Sequence, residues 1–362
     1  MGRKRVAVAM SGGVDSSVAA ALLKEAGYEV IGIMMKLHSR EKESAPGGCS
    51  SLDTVQDARQ VAEKLAIPFH VVNFHDLFEK QVITYFTAEY LRGRTPNPCI
   101  ACNRHLKFSA LLENAFALKA DYLATGHYVK VAYSEARERY LLYRGEDKQK
   151  DQSYFLYNLT QRQLAHTLFP LGEYTKLRIR EKAVQLGLKV ADKPESQEIC
   201  FIPDDDYKRF LVERLGTDAF KPGKFVNTKG EVLGEHQGLP FYTVGQRKGL
   251  GLALGDPVFV VALNPLENTV VVGREEEVFQ QGLWAQDNNY IVLSKLEEPL
   301  KIQAKIRSGA VPAEAVLTPK AEGQVKVIFK EPQRAITPGQ SIVYYQGDLV
   351  VGGGIIDEVI RK

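Results

Sequence analysis

The residues best suited to chemistry lie near the start of the chain, in Ala9-Met10-Ser11-Gly12-Gly13-Val14-Asp15-Ser16. An apolar run here ends abruptly in small and hydroxylic residues. Small residues let backbone N–H groups close around phosphate oxygens, and a helix starting behind them adds the positive end of its dipole. Ser11 and Ser16 supply hydroxyl donors, and Asp15 is an oxygen ligand suited to Mg²⁺ beside phosphates. Neither GxxxxGK[ST] nor GxGxxG is present, so this loop lacks the lysine of a Walker A loop. A tight turn with a helix cap would explain Ser-Gly-Gly alone. The strand expected before it and the helix expected after it favour phosphate.

The cysteines form the second group. There are four, Cys49, Cys99, Cys102 and Cys200. The Cys99-Ile100-Ala101-Cys102 spacing admits metal or iron–sulfur ligation, a redox dithiol, or one catalytic thiol with a bystander. Two close-set knuckles, as in a zinc ribbon, are absent. Cys49 reads best as a small buried hydrophobe. Cys102 and Cys200 instead sit in polar stretches bounded by proline, and Arg104, His105 and Lys107 near Cys102 favour its thiolate.

Ser11–Ser16 resembles the signature of the ATP pyrophosphatase (PP-loop) superfamily. Its members split ATP between the α and β phosphates and adenylate a carbonyl oxygen. Beside two reactive thiols, that chemistry suits replacing a carbonyl oxygen by sulfur. The oxygen becomes a leaving group, one Cys delivers sulfur as a persulfide, and a second Cys cuts the S–S bond.

The elements that must hold these residues follow from periodicity. Arg5–Met10, Glu29–Met35, Phe69–Phe74 and Asp121–Thr125 read as strands. Asp15–Ala26, Thr54–Leu65, Asp76–Leu91 and His105–Lys119 read as helices. The alternation predicts an α/β fold with a doubly wound parallel sheet, whose ligands bind beyond the carboxyl ends of the strands. Ser39–Ser51 and Arg92–Asn103 read as loops, the latter because of its two prolines. A helix is expected near Tyr174–Leu186 and a loop at Lys193–Pro203. Farther on, hairpins at Phe225–Leu233 and Val258–Gly273 precede strands at Ile302–Arg307, Gln324–Phe329, Ser341–Tyr345 and Leu349–Ile356, a pattern suited to a small closed barrel. The expected domains are residues 1–205, a PP-loop catalytic domain, 206–275, a central β-rich connector, and 276–362, a C-terminal β-barrel.

Composition narrows the classes. The chain has 362 residues, 44% hydrophobic and 25% charged, which excludes wholesale disorder. So few cysteines exclude a disulfide scaffold. Apolar stretches such as Val258–Leu263 are far shorter than a membrane span. Met1–Arg5 imitates the start of a signal peptide, but the apolar run behind it stops at Ser11-Gly12-Gly13, so the expected location is cytoplasmic. A net charge of +3 permits a polyanionic partner without requiring one.

A closer likeness rests on several segments in order. These are Ser11–Ser16, Thr95–Asn103 (TPNPCIACN), Ala124–Tyr128 (ATGHY), Lys150–Tyr154 (KDQSY), Ser196–Phe201 (SQEICF) and Thr243–Gly249 (TVGQRKG). Together they resemble the tRNA-specific 2-thiouridylase family over almost the whole chain. The resemblance implies ATP-dependent thiolation at C2 of the wobble uridine in tRNAs for Lys, Glu and Gln, fed by a persulfide donor or relay protein. It implies that Cys200 carries the persulfide, that Cys102 is the nucleophile, and that the two can form a disulfide during turnover. By the same resemblance Ala9, Met10, Ser11, Gly12, Gly13, Val14, Asp15, Ser16, Met35 and Gly126 contact ATP. Asn97, Pro98 and Cys99 face the target base, while His127, Lys150, Asp151, Gln152, Arg307, Ser308 and Gln340 touch tRNA. Some members carry Asp where this chain has Cys99, so an acid–base role there does not apply. Cys99, Cys102 and Cys200 are candidates to hold an iron–sulfur cluster instead.

Arg92, Arg94, Arg104, Lys107, Arg247 and Lys248 suit phosphate contacts as a group, and Tyr128 or Tyr154 can stack on a splayed base or simply pack in the core. Two other classes stay open. An amide-forming PP-loop ligase would be indifferent to losing either cysteine, and an RNA-binding protein with a structural metal would not consume ATP.

Overall fold

The computed structural model describes residues 3–37, 52–193 and 199–361. Cys49, the expected loop at 39–51 and Ser196-Gln197-Glu198 lie outside them. The chain divides into two compact units. The first comprises Met1–Val82, Cys99–Asp205 and Asp348–Val351, and the second Ile83–Pro98, Asp206–Gly347 and Gly352–Lys362.

In the first unit β1 (Arg5–Ala9), β2 (Glu29–Lys36), β3 (Phe69–Asn73), β4 (Tyr122–Ala124) and β7 (Thr167–Leu168) form one sheet in the order β3-β2-β1-β4-β7. Each adjacent pair runs parallel. β1 is central, so both faces are covered, and Val6, Ala7 and Val8 are fully buried. Helix α1 (Val14–Glu25) buries Val18, Ala19, Ala20 and Leu23, and α2 (Leu52–Lys64) turns Ala58, Val61 and Ala62 into the same core. Small residues dominate that face of α1, which lets the helix approach the sheet closely. The strand order reverses at β1, with β2 on one side and β4 on the other. The crevice beyond their carboxyl ends is where such sheets take ligands.

A hairpin of β5 (Val129–Ser134) and β6 (Arg139–Arg144) follows β4 directly, with Leu349 opposite Tyr143. Sequence periodicity did not reveal this hairpin, because Tyr133, Ala132 and Glu135 blur the alternation with exposed positions.

Three helical expectations change. Pro98–Cys102 is a helix, not a loop, so Cys99 and Cys102 share one short helical segment. Proline is tolerated at a first helical position because its missing N–H would have had no partner there. The expected helices Asp76–Leu91 and His105–Lys119 exist, but Glu79–Ile83 and Asn103–Ala110 are wound as π-helix. A π-turn holds extra residues and rotates the apolar stripe that follows it. The first such turn ends where the chain passes from the first unit at Val82 to the second at Ile83.

The second unit contains β8 (Gly223–Asn227), β9 (Val232–His236), β10 (Phe259–Asn264) and β11 (Thr269–Gly273) in the order β10-β11-β8-β9. Phe225, Leu239, Tyr242, Leu250, Val260, Val270 and Val272 make its core. Next come β12 (Phe279–Tyr290), β13 (Leu300–Lys305), β14 (Ala313–Pro319), β15 (Val325–Arg334), β16 (Ser341–Gln346) and β17 (Leu349–Ile360). They run β12-β15-β14-β13-β16-β17, and β12 pairs with β17 to close the barrel. β12 and β14 were not evident from sequence. Gly282 and the polar Gln286–Tyr290 stretch break the alternation of β12, and closure decides its pairing.

The helix Thr84–Leu91 belongs to this second unit, with Tyr90 stacked on Tyr207 at 4.9 Å. Behind it, Arg94 bridges Glu89 at 2.8 Å and Asp357 at 3.0 Å. Thr95 N donates to Pro338 O, and Gln340 Nε2 donates to Thr95 O at 3.0 Å. Arg94 is thus an internal anchor, where the sequence had grouped it with exposed phosphate-binding cations. Replacing it by methionine would leave two carboxylates facing each other. R94M should lower the stability of this unit by about 2–3 kcal/mol, since the network is shielded but not wholly buried. Urea unfolding followed through Trp284, the only tryptophan and a residue of β12, measures it.

Candidate active site

The nucleotide-type loop sits at the carboxyl end of β1. Gly12 has φ +70, and a side chain there would place its Cβ 2.3 Å from Thr54 O, so the position requires glycine. Gly13 is the extended N-cap of α1. Ser16 Oγ accepts from Ser11 N at 3.1 Å and lies 3.3 Å from Ser11 Oγ. Ser16 Oγ and Ser17 Oγ donate to Gly13 O at 3.2 and 2.8 Å. These bonds fold the loop into a tight arch whose hydroxyls and helix N-terminus suit phosphate oxygens. Gly126, just past β4, is brought to the same place, because a Cβ on it would lie 2.9 Å from both Asp15 C and Ser16 N. Met10 N donates to Ile33 O, and Met35 is half-buried in β2 opposite Val72.

Asp15 is not an open carboxylate. Lys176 Nζ donates to its two oxygens at 2.7 and 2.8 Å, and Tyr128 Oη donates to Oδ1 at 2.7 Å. A Mg²⁺ ion at Asp15 would therefore compete with the Lys176 ammonium for its oxygens. A second lysine, Lys193, donates to Gly12 O at 3.2 Å and to Asp57 at 2.6 Å. Both lysines went unnoticed in the sequence. Each is far along the chain from the loop and carries no local motif; only the packing of the helix Lys176–Gln185 and the segment behind it delivers them.

The three described cysteines all fall in the first unit. Cys102 is buried, Cys200 is half-buried and Cys99 is exposed. Cys102 ends the helix begun by Pro98, and the next residue, Asn103, donates from Nδ2 to Phe155 O at 3.0 Å. Phe201, beside Cys200, packs edge-on against Phe78 at 5.7 Å. Among the described residues no group of three His, Cys, Asp or Glu is placed to hold a metal ion. Cys99, Cys102 and Cys200 therefore do not fit a cluster in this conformation.

The remaining candidates divide by exposure. Arg307 and Ser308 form an exposed turn after β13. Asn97 is half-buried and Pro98 buried, and Gln340 holds the backbone two residues before Asn97 through its bond to Thr95. Lys150 is half-buried in the turn built on Asp147. Asp151 is turned inward: Arg144 Nε, Gly145 N, Ser153 N and Ser153 Oγ all donate to it. Gln152 clamps Tyr128, accepting from its N–H and donating to its carbonyl. Tyr128 and Tyr154 are buried, which favours packing over base stacking for both. His127 lies between Phe108 and Phe169, with Nδ1 at 2.8 Å from Thr125 Oγ1. Burial, aided by the charge on Lys107, holds its pKa well below the ordinary 6.5.

Two expectations follow. A protonated His127 is disfavoured in the fold, so below pH 6.5 the unfolded chain binds the extra proton. Stability should then fall with pH by up to about 1.4 kcal/mol per unit, and H127Q should flatten that slope in urea titrations. A methyl at Gly126 pushes against the backbone of α1 at a cost of about 1–3 kcal/mol. Spent on displacing the loop, that should weaken ATP binding by about tenfold in G126A, read by calorimetry.

Comparison with known proteins adds three matched models. One described as the tRNA methyl transferase HUP domain covers residues 4–204, one as its PRC-barrel domain 208–274, and one as an aminomethyltransferase β-barrel domain 280–356. A tRNA-specific 2-thiouridylase of Acetivibrio thermocellus is 56% identical over 98% of this chain and 100% of its own length. The one from Moorella thermoacetica is 58% identical, covering 98% of this chain and 99% of its own. The one from Carboxydothermus hydrogenoformans is 56% identical, covering 99% of each. A likeness of this degree, running from the phosphate loop through the cysteine helix to the closed barrel, places the chain in the tRNA-specific 2-thiouridylase family.

Proposed function

We propose that this protein uses ATP to replace the C2 oxygen of the wobble uridine of tRNA by sulfur, in tRNAs for Lys, Glu and Gln. The observation that carries the reading is the gathering of the phosphate loop, Cys102 and Cys200 in one compact unit. A nucleotide loop alone serves many adenylating enzymes, whereas two cysteines with it suit sulfur transfer.

The steps follow from the residues. The arch of Ser11–Ser16 and the N-terminus of α1 hold the phosphates of ATP, with Met35 and Gly126 bordering the nucleotide. Uracil O2 attacks the α-phosphorus and pyrophosphate leaves, which makes the oxygen a leaving group. The terminal sulfur of a persulfide on Cys200 adds to C2 and AMP departs. The Cys102 thiolate then attacks Cys200 Sγ, breaking the S–S bond to release 2-thiouridine and leaving a Cys102–Cys200 disulfide. A thiol reductant supplies the two electrons that reopen it, and a persulfide donor or relay protein reloads Cys200.

Asn97, Pro98 and Cys99 face the target base in this reading. Arg307 and Ser308, exposed at a barrel turn, contact the tRNA, as do Lys150 and His127. Asp151, Gln152 and Gln340 act through the backbone they hold. The residues 1–205, 206–275 and 276–362 serve as catalytic, connecting and tRNA-gripping domains. No described helix is long and apolar enough to cross a membrane, and a cytoplasmic location suits a tRNA substrate.

Nucleoside mass spectrometry on unmodified tRNA, with the protein, ATP, Mg²⁺ and a persulfide source, tests this. The expected product is 2-thiouridine that requires ATP and vanishes with C102S, while C200S regains activity with free sulfide. AMP formation without thiolation, unchanged in both variants, would move the protein to the amide-forming ligases.

A further inference from the structure

We propose that Cys99 is a resolving thiol, which reopens the Cys102–Cys200 disulfide left by sulfur transfer and is itself reduced by a thiol from solution; this rests on the reading that turnover ends in that disulfide.

The three described cysteines differ in what can reach them. Cys102 is buried, Cys200 is half-buried and Cys99 is exposed. A thiol must touch the sulfur it attacks, so a disulfide closed on Cys102 is shielded from solution on that side. Cys99 and Cys102 stand three residues apart in one helical segment, Pro98–Cys102. At that spacing helical Cα atoms lie about 5 Å apart, from the radius and rise of the helix. Disulfides span Cα separations of about 4.4–6.8 Å, so this pair is within bridging range without unwinding the segment. Cys102 continues directly into Asn103–Ala110, and Asn103 is anchored to Phe155 O, which fixes the backbone beneath Cys102. An exposed cysteine is itself unusual, because the side chain behaves as a small hydrophobe and is most often buried.

The exchange balances. The Cys99 thiolate attacks Cys102 Sγ, forms the Cys99–Cys102 bond and expels Cys200 as a thiolate, ready to be loaded again. A thiol from solution then attacks the exposed Cys99 Sγ and expels the Cys102 thiolate, the form that cuts the next persulfide. A second thiol from solution frees Cys99 and leaves as a disulfide with the first, so two electrons enter per turnover. The protons given up by those two thiols pass through solvent to the released thiolates of Cys102 and Cys200.

A side chain that only faces the target base is the competing explanation. It would alter thiolation itself, whereas a resolving thiol alters the return to reduced enzyme.

For the test, Cys200 of the full-length protein is loaded with one persulfide equivalent, desalted, and given ATP, Mg²⁺ and unmodified tRNA without reductant. Samples are quenched in acid, free thiols are alkylated, and disulfides are located by peptide mass spectrometry. The expected course in wild type is a Cys102–Cys200 link that gives way to a Cys99–Cys102 link; in C99S the first link persists. With glutathione persulfide and glutathione present, the ratio of the steady-state to the single-turnover rate should fall at least about tenfold in C99S and C99A. Taking that ratio cancels any effect of the substitutions on base binding. Wild type that thiolates uridine yet shows only the Cys102–Cys200 link, or a ratio unchanged in C99S, would overturn the proposal. The wild-type mapping decides by itself if neither variant folds. Wild type that makes no 2-thiouridine would remove the proposed function and this inference with it, an outcome told apart by the missing product.

Discussion

Reversal of strand order at β1 is the constraint on which the first unit depends. With β2 on one side and β4 on the other, the chain leaves adjacent strands toward opposite faces, and a crevice opens beyond their carboxyl ends. Whatever borders that crevice must be small, because backbones converge there. Gly12 is pressed toward Thr54, and Gly126 against the first turn of α1. The small residues thus serve two purposes: they let neighbouring backbones meet, and they leave N–H groups and hydroxyls exposed to an anion.

Charge at this crevice comes from a distance. Lys176 and Lys193 reach the loop from segments on the far side of β4 and the β5–β6 hairpin in sequence, each paired with a carboxylate. Partial burial makes these pairs stronger than surface ion pairs and makes the loss of one partner costly. Lys193 also donates to Gly12 O, so the loop is held both by its own hydroxyls and by a residue 181 positions away. His127, kept neutral by its surroundings, adds no competing charge to the wall behind Gly126.

Within the second unit, the segment Arg94–Thr95 is tied to the barrel. Thr95 is bonded to Pro338 and Gln340, and Arg94 is clamped between Glu89 and Asp357. The course of the chain at Arg94 and Thr95 is therefore set by partners in the barrel as well as by the prolines that follow. Gln340 takes part in this by holding backbone, a role that does not require it to touch RNA.

The sequence by itself determined the alternating strands and helices through residue 125, the phosphate loop, the cysteine positions and a β-rich second half, since all of these are written in local periodicity or contiguous motifs. It also pointed to the family, through motifs spread along the whole chain. What it left undecided depends on partners distant in the chain. The helix at Pro98, the π-windings, the hairpin after β4, and β12 and β14 emerge only when packing or barrel closure outweighs weak local preference. Asp151 and Arg94 look like surface charges until folding surrounds them with partners. Lys176 is one basic residue among many until the helix it opens brings its ammonium to Asp15, because a long-range ion pair leaves no trace in local spacing.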